Sequence, residues 1–338
     1  MIRDLENNLI SLQNEANAHR LILGKSGYGK TWFCYRMLEE SVEQKKNSLV
    51  FDYSGSFTEN ELEKGCFKNI DATYSFDTLG TGAKFLYFGE HFYSVMAEAL
   101  IKILSIREYH QKVLLEKALH SLEKRDAEIT ISGIMQELEI SVPLKGKDEE
   151  RQRNCILSKL SGYSGIKLVF GRGADTEKSK YNYKSVIMQL SGYKDTERWF
   201  LTALLTELVW QEIKEGTYRV DYLVYDESQW MTLGAGSTLV EMLREGRKYG
   251  LGVWLLSQFL PTGDKDQYDT LLQANTIFLF HPSEKSRIEV AKIIGYSTWK
   301  EWIDVLSTLE IGEFVLKGHF TVNEGTKVWH TPIICRGI

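Results

Sequence analysis

The residues best suited to chemistry form one run, G-K-S-G-Y-G-K-T, comprising Gly24, Lys25, Ser26, Gly27, Tyr28, Gly29, Lys30 and Thr31. Glycines at this spacing let successive backbone N–H groups turn inward around phosphate oxygens. A helix beginning at the end of the run points its partial positive charge at the same place. Lys30 is then placed to reach the β- and γ-phosphates of a nucleoside triphosphate, and Thr31 to ligate Mg²⁺. A glycine-rich turn beside a lysine also arises by chance, and context separates the two cases. Here an apolar strand, Leu21 to Leu23, precedes the run and an amphipathic helix follows it. Nucleotide contacts are therefore expected from Gly24 to Trp32.

A second constellation is Y-L-V-Y-D-E, Tyr222 to Glu227, an apolar strand ending in two acids. Opposite a phosphate-binding loop, Asp226 would hold Mg²⁺, partly through water, and Glu227 would polarise a water for attack on the γ-phosphate. Gln258 closes the strand V-W-L-L-S-Q, at the carboxyl edge where open α/β sheets bind ligands, and could sense the γ-phosphate or position water. Between these strands, L-R-E-G-R-K-Y-G carries Arg244, Arg247 and Lys248. Two readings of this run stay open: a solvated basic helix end, or an arginine delivered to the nucleotide of a neighbouring subunit. Gln189-Leu-Ser-Gly192 superficially matches an ABC-ATPase signature, but it continues a strand where that signature begins a helix.

The elements that must position these residues are legible from periodicity. A helix from Thr31 to about Gln44 and a strand from Ser48 to Asp52 continue the βαβ start, which predicts a parallel sheet. Residues 1–18 read as a short polar helix or arm. Residues 92–160 repeat apolar side chains at helical spacing and predict an inserted all-helical subdomain. Residues 19–91 and 161–338 are left as the α/β core, with further strands at Ser185 to Leu190, Asp221 to Tyr225, Gly252 to Leu256 and Thr276 to Phe280, and Glu313 to Leu316 as the last. The stretch Gly171 to Lys184 reads as a loop or hairpin tip.

Bulk properties narrow the class. With 338 residues the chain can bury a sizeable core. A formal charge of -5 argues against coating nucleic acid with the whole surface, though not against a basic patch. Cys34, Cys66, Cys155 and Cys335 are scattered without C-x-x-C spacing, as in a cytoplasmic protein with reduced thiols and no zinc-type site. The start, Met1 to Glu15, is polar and carries no signal-peptide pattern, and no apolar run is long enough to span a membrane.

Taken in order, these motifs resemble the HerA/FtsK branch of P-loop ATPases, which includes HerA helicase-translocases and the related ATPases of conjugation machines. The resemblance runs from His19 to about Gly318, and its most specific piece is R-E-G-R-K-Y-G-L-G-V-W-L-L-S-Q-F-L-P, Arg244 to Pro261. It implies a RecA-like core with a mainly parallel central sheet flanked by helices. It also implies a homo-oligomeric ring, hexameric in the branch, that uses ATP and Mg²⁺ to move double-stranded DNA through its channel. Carried over by position, Lys30 and Thr31 bind phosphate and Mg²⁺, and Asp226 and Glu227 are the metal acid and catalytic base. Gln258 is the sensor, Arg247 or Arg244 acts in trans, and Asp52 is a further acid near the site.

The chain also departs from the branch. Eighteen residues before the P-loop strand are too few for the β-barrel of HerA proteins, and Ala18 stands where an arginine is common, with Arg20 as a stand-in. The expectation is a nearly bare motor core working beside a partner nuclease or other effector, in a mobile-element or anti-phage setting. Lys265 and the stretch Arg172 to Lys184 are candidate DNA contacts. Alternatives are a nucleotide-gated oligomeric scaffold and the ATPase of a conjugation or secretion channel.

Overall fold

The computed structural model describes residues 2–13, 17–64, 67, 70–78, 84–89, 91–140, 144, 146–172, 184–234, 236–261 and 265–337. The chain divides into two compact units, one of Met1–Phe76, Tyr181–Met188 and Val220–Ile338, the other of Asp77–Lys180 and Gln189–Arg219.

In chain order the elements begin with β1 (Ile2–Asp4), β2 (Leu9–Leu12), β3 (Arg20–Leu23), α1 (Lys30–Glu43) and β4 (Ser48–Asp52). Next come α2 (Glu59–Lys64), α3 (Ile70–Thr73), β5 (Tyr74–Thr78) and β6 (Lys84–Phe88). Four helices follow, α4 (Phe92–Ile103), α5 (Tyr109–Lys124), α6 (Ile131–Ile140) and α7 (Lys147–Ser161), and then β7 (Leu168–Arg172). The chain continues through β8 (Ser185–Gln189), α8 (Asp195–Glu215), β9 (Tyr222–Tyr225), α9 (Thr238–Glu245) and β10 (Gly252–Ser257). It then forms α10 (Lys265–Leu271), β11 (Thr276–Phe280), α11 (Arg287–Ile294) and α12 (Trp299–Thr308), and ends with β12 (Glu313–Lys317), β13 (Phe320–Val322) and β14 (Ile333–Gly337).

One twelve-stranded sheet carries the first unit, in the order β13-β2-β1-β14-β12-β11-β3-β10-β9-β4-β8-β5. Its middle, β11-β3-β10-β9-β4, is parallel as expected, and β9, β10 and β11 are buried along their whole length. Strands covered on both faces read as continuous apolar runs, which is why T-I-F-L-F and G-V-W-L-L-S are so plain in the sequence.

The other wing, from β12 to β13, is antiparallel throughout and was not expected. The described residues of the stretch 1–18 include no helix: they contribute β1 and β2, and β1 pairs with β14, Ile2 opposite Gly337. The turn between β1 and β2 is built by Asp4, whose Oδ1 accepts the Glu6 and Asn8 amides at 3.0 and 2.8 Å, while Asn7 takes φ of 69°. Short polar side chains that bond their own backbone favour such turns over helix. Likewise Glu313 to Leu316 is not the last strand, since β13 and β14 follow.

Helix α1 buries Phe33, Cys34, Tyr35, Met37 and Leu38. Phe33 sits among Phe278, Phe280 and Phe314, with ring centroids 4.8, 5.7 and 4.7 Å away. Each buried aromatic contributes roughly 1.5–3 kcal/mol, so this cluster fixes the helix that the phosphate loop leads into.

In the second unit, α4 to α7 cover the residues expected to be helical, and Met96, Leu100, Leu114, Leu119, Ile134 and Leu160 are fully or almost fully buried. This unit is not all-helical: β6 and β7 form a parallel pair, Lys84 opposite Leu168, and α8 belongs to it as well. Among the described residues no helix is long and apolar enough to cross a membrane. Most of the loop predicted from Gly171 to Lys184 lies outside the described residues.

Candidate nucleotide site

The G-K-S-G-Y-G-K-T run leaves β3 at the carboxyl edge of the parallel strands and enters α1, the strand–loop–helix context that its chemistry requires. The loop is anchored from both sides: the Gly24 amide donates to the Ser257 carbonyl at 3.2 Å and the Lys25 amide to the His281 carbonyl at 2.9 Å. Tyr28 stacks on His281 with centroids 4.4 Å apart. Gly24 is required by close approach, because a Cβ there would lie 2.6 Å from Phe280 Cβ. Gly27 and Gly29 take φ of +85° and +94°, where a side chain would strain the backbone. The Lys30 ammonium donates to the Lys25 carbonyl at 3.1 Å and is thereby folded over the loop. Burial pulls its pKa below the usual lysine range, and the charges of Glu227 and Asp226 oppose that.

A cavity of about 790 Å³ opens over this loop. Its walls bring together Ser26, Gly27, Gly29, Lys30, Thr31 and Trp32 with Asp226, Glu227 and Gln258. Residues 226, 227 and 258 follow β9 and β10, whose carboxyl ends lie in register beside β3. The sheet alone therefore gathers residues more than two hundred positions apart.

Asp226 is 4% exposed. Its Oδ2 accepts the Ser54 hydroxyl, the Ser54 amide at 3.4 Å and the Ser56 hydroxyl at 3.5 Å. Burial pushes its pKa up to about 6; the Ser54 hydrogen bond resists this and the Glu227 charge adds to it. Glu227 occupies a left-handed backbone position, φ 50°. Its Oε1 accepts Gln258 Nε2 at 2.7 Å and its Oε2 accepts Gln229 Nε2. Gln229 Oε1 in turn accepts the Ser257 hydroxyl at 3.0 Å and the Gln258 amide at 3.2 Å. Two side-chain amides thus clamp one carboxylate and fix its direction.

Asp52, Arg20, Lys25 and Tyr28 are not among the described residues that line the cavity. Asp52 does not face the cavity: it is completely buried, and its carboxylate accepts the Gly55, Ser56 and Phe57 amides at 2.8, 3.1 and 3.1 Å. Burial, together with the Asp226 charge, raises its pKa to about 7. Asp52 therefore shapes the turn that carries Ser54 and Ser56 to Asp226. Arg20 lies buried at the start of β3, 4.2 Å over the Trp254 ring, with Nη1 3.2 Å from Met37 Sδ. Lys25 and Tyr28 support the loop from outside the cavity lining.

Arg244 and Arg247 are exposed, in the last turn of α9 and the 3-10 turn Gly246–Tyr249 that precedes β10. They lie at the amino edge of the sheet, with the whole of β10 between them and Gln258, a span of roughly 20 Å for six extended residues. The structure does not bring them to this molecule's own cavity. Their element is pinned by His19, whose Nδ1 accepts the Val253 amide at 2.9 Å and whose ring also bonds the Leu243 backbone. Burial pushes the His19 pKa down to about 4, so the ring is neutral.

Gln229, Ser54 and Ser56 are the site residues that sequence reasoning missed. The D-E-S-Q and D-Y-S-G-S strings placed them at strand ends, yet nothing in those strings shows that their side chains turn back onto the two acids. Lys265 begins α10 and Arg172 ends β7, and the side chains of both lie outside the described residues.

Comparison with known proteins agrees with this geometry. The family described as "Helicase HerA, central domain" matches residues 8–209, more than half of the chain. No curated protein is matched. Among solved structures the fold is similar to VirB4 of Thermoanaerobacter pseudethanolicus, with TM-score 0.67 and 16% identity over 98% of this chain and 94% of that one. It is also similar to the plasmid coupling protein TrwB in complex with the GTP analogue GDPNP, with TM-score 0.61 and 13% identity over 95% and 85% of the two chains. TrwB with the ATP analogue ADPNP gives TM-score 0.59 and 13% identity over 94% and 85%. At such identities these likenesses establish the RecA-like fold, and the family match establishes kinship: the chain belongs to the HerA helicase central-domain family of P-loop ATPases.

Proposed function

We propose that this chain is the ATP-hydrolysing subunit of a ring that moves double-stranded DNA. One observation carries the reading. The phosphate loop, the acids and the sensor glutamine meet at one edge of the sheet, while the two arginines suited to the γ-phosphate stand exposed at the other. A neighbouring subunit presenting its arginine edge would bring Arg244 or Arg247 to such a site, and a closed ring would satisfy every subunit at once.

The residues present fit a Mg²⁺–nucleotide complex. The left-handed glycines 27 and 29 leave a cradle that any Cβ would strain, and Thr31 and Asp226 offer the oxygen donors a hard divalent cation takes. Asp226 and Asp52 are buried carboxylates whose pKa values burial raises, so a cation beside Asp226 relieves a cost already present in the fold. When bound, Mg²⁺ neutralises charge on the phosphate oxygens. Lys30 and the loop amides hold the phosphates, Glu227 takes the proton of the attacking water, and Gln258 and Gln229 keep Glu227 aimed. The cavity is also lined by Trp32, 40% exposed, and Ile311, 74% exposed, which offer an apolar face for a base.

Electron microscopy of the full chain with a slowly hydrolysed ATP analogue and duplex DNA tests the assembly. Rings with density through the centre are expected. Monomers would remove the role given to Arg247, and DNA-free rings would favour a nucleotide-gated scaffold.

A further inference from the structure

A second cavity, of about 530 Å³, opens at the amino edge of the same sheet. It lies where β11 begins, β12 ends and α11 gives way to the following loop, and none of its lining residues lines the nucleotide cavity. Thr276 at the start of β11 is in register with Arg20 at the start of β3, whose far end leads into the phosphate loop. The two cavities are thus separated by about one strand length, roughly 15 Å.

The chemistry of this lining is specific. Among the described residues of the lining, two lysines contribute, Lys292 and Lys317, and no carboxylate does. Lys317 is fixed in place because its ammonium donates to the Ile293 carbonyl, and burial lowers its pKa, so an anion alongside would be welcome. Glu289 and Asp269 act on the hydroxyl of Tyr268, itself part of the lining. Aromatic rings, among them Tyr296, His319 and His330, share the wall with aliphatic side chains such as Leu272 and Ile277. Tyr296 is 80% exposed, and His319 and His330 meet edge to face with centroids 4.3 Å apart. Trp329, beside His330 in sequence, is 40% exposed and carries Lys327 over its ring at 4.1 Å.

Single exposed aromatics are ordinary on a protein surface. Rings that line one concave site together with two lysines offer the chemistry by which proteins hold a nucleotide, phosphate on ammonium and base on ring.

We propose that this cavity binds a nucleotide unit, with the phosphate between Lys292 and Lys317 and the base against Tyr296 and the histidine pair. The unit could come from a DNA strand or from a free nucleotide, and the chemistry is shared. Only the strand source rests on the reading of the chain as a DNA motor.

The test is fluorescence anisotropy of a labelled short oligothymidylate at low salt, using the full chain with its phosphate loop saturated by a non-hydrolysable ATP analogue. Wild type is expected to bind, and Lys292→Glu and Tyr296→Ala are each expected to weaken binding about 10-fold, the size of one lost stacking or phosphate contact. Binding of labelled ADP to the phosphate loop should be unchanged in both variants, which shows that they fold. Competition by thymidine monophosphate would identify a free nucleotide as a sufficient ligand; its failure to compete would identify the strand. Wild-type affinity in both variants would overturn the assignment while leaving the motor reading intact. No binding of either ligand by wild type would overturn it equally, because the motor reading is judged separately by hydrolysis on duplex DNA.

Discussion

At the scale of single residues, the account turns on how one carboxylate is aimed. Glu227 is held from both sides by Gln258 and Gln229, and Gln229 is itself seated on Ser257. Gln229 is thereby a positioning residue, and its loss should act on the chemical step more than on binding. For Gln229→Ala we expect kcat to fall about 10- to 100-fold, short of the roughly 10²–10⁴ of full general-base assistance because Glu227 itself remains, with KM for ATP changed less than about 3-fold. A variant whose KM rises while kcat holds would show that Gln229 contributes to nucleotide binding and not to the base. The phosphate loop, Asp226, Glu227 and Gln258 were legible because their chemistry is written in residue type and strand context. That Asp52 braces a turn was not legible, because an acid at a strand end looks the same whether it faces a ligand or accepts three backbone amides. Only the direction of its side chain distinguishes the two.

At the scale of elements, His19 links the start of the P-loop strand to β10 and to the helix bearing the arginines. Its pKa is depressed to about 4 in the fold from an ordinary 6.5. It is therefore neutral in both states at pH 7. As pH falls from about 6.5 to 4, the unfolded chain takes up a proton that the native ring refuses, so stability is lost across that window. The loss amounts to at most roughly 3 kcal/mol. Asp52 and Asp226 act in the opposite sense, since their raised pKa values favour the fold as pH drops from about 7 toward 4.

The contrast between wild type and His19→Gln isolates the histidine. Denaturant titrations should show the variant less stable at pH 7, where a buried hydrogen bond is lost, and less sensitive to acid between pH 6.5 and 4. Equal acid sensitivity in the two proteins would contradict the neutral buried ring. The buried parallel strands were plain in the sequence, whereas the antiparallel wing was not. Its strands are as short as three residues, and β1 finds its partner β14 more than three hundred positions away, Ile2 beside Gly337. Local periodicity carries no signal of such pairing.

At the scale of the whole molecule, the proposed division of the site between two sheet edges implies that each subunit alone is catalytically incomplete. Lys30→Ala and Arg247→Ala should each be inactive alone, one lacking the phosphate cradle and the other the trans arginine. Mixed before assembly, they should regain part of the wild-type rate, because some interfaces then pair an intact loop with an intact arginine. A mixture no more active than its parts would remove Arg247 from the site. The most direct test of the central claim is the steady-state rate of ATP hydrolysis by the purified full chain with Mg²⁺, measured with and without duplex DNA, beside Lys30→Ala and Glu227→Gln. The account predicts hydrolysis that duplex DNA stimulates severalfold and that both substitutions abolish. A wild-type rate indifferent to DNA at low salt, or hydrolysis surviving in Glu227→Gln, would contradict it.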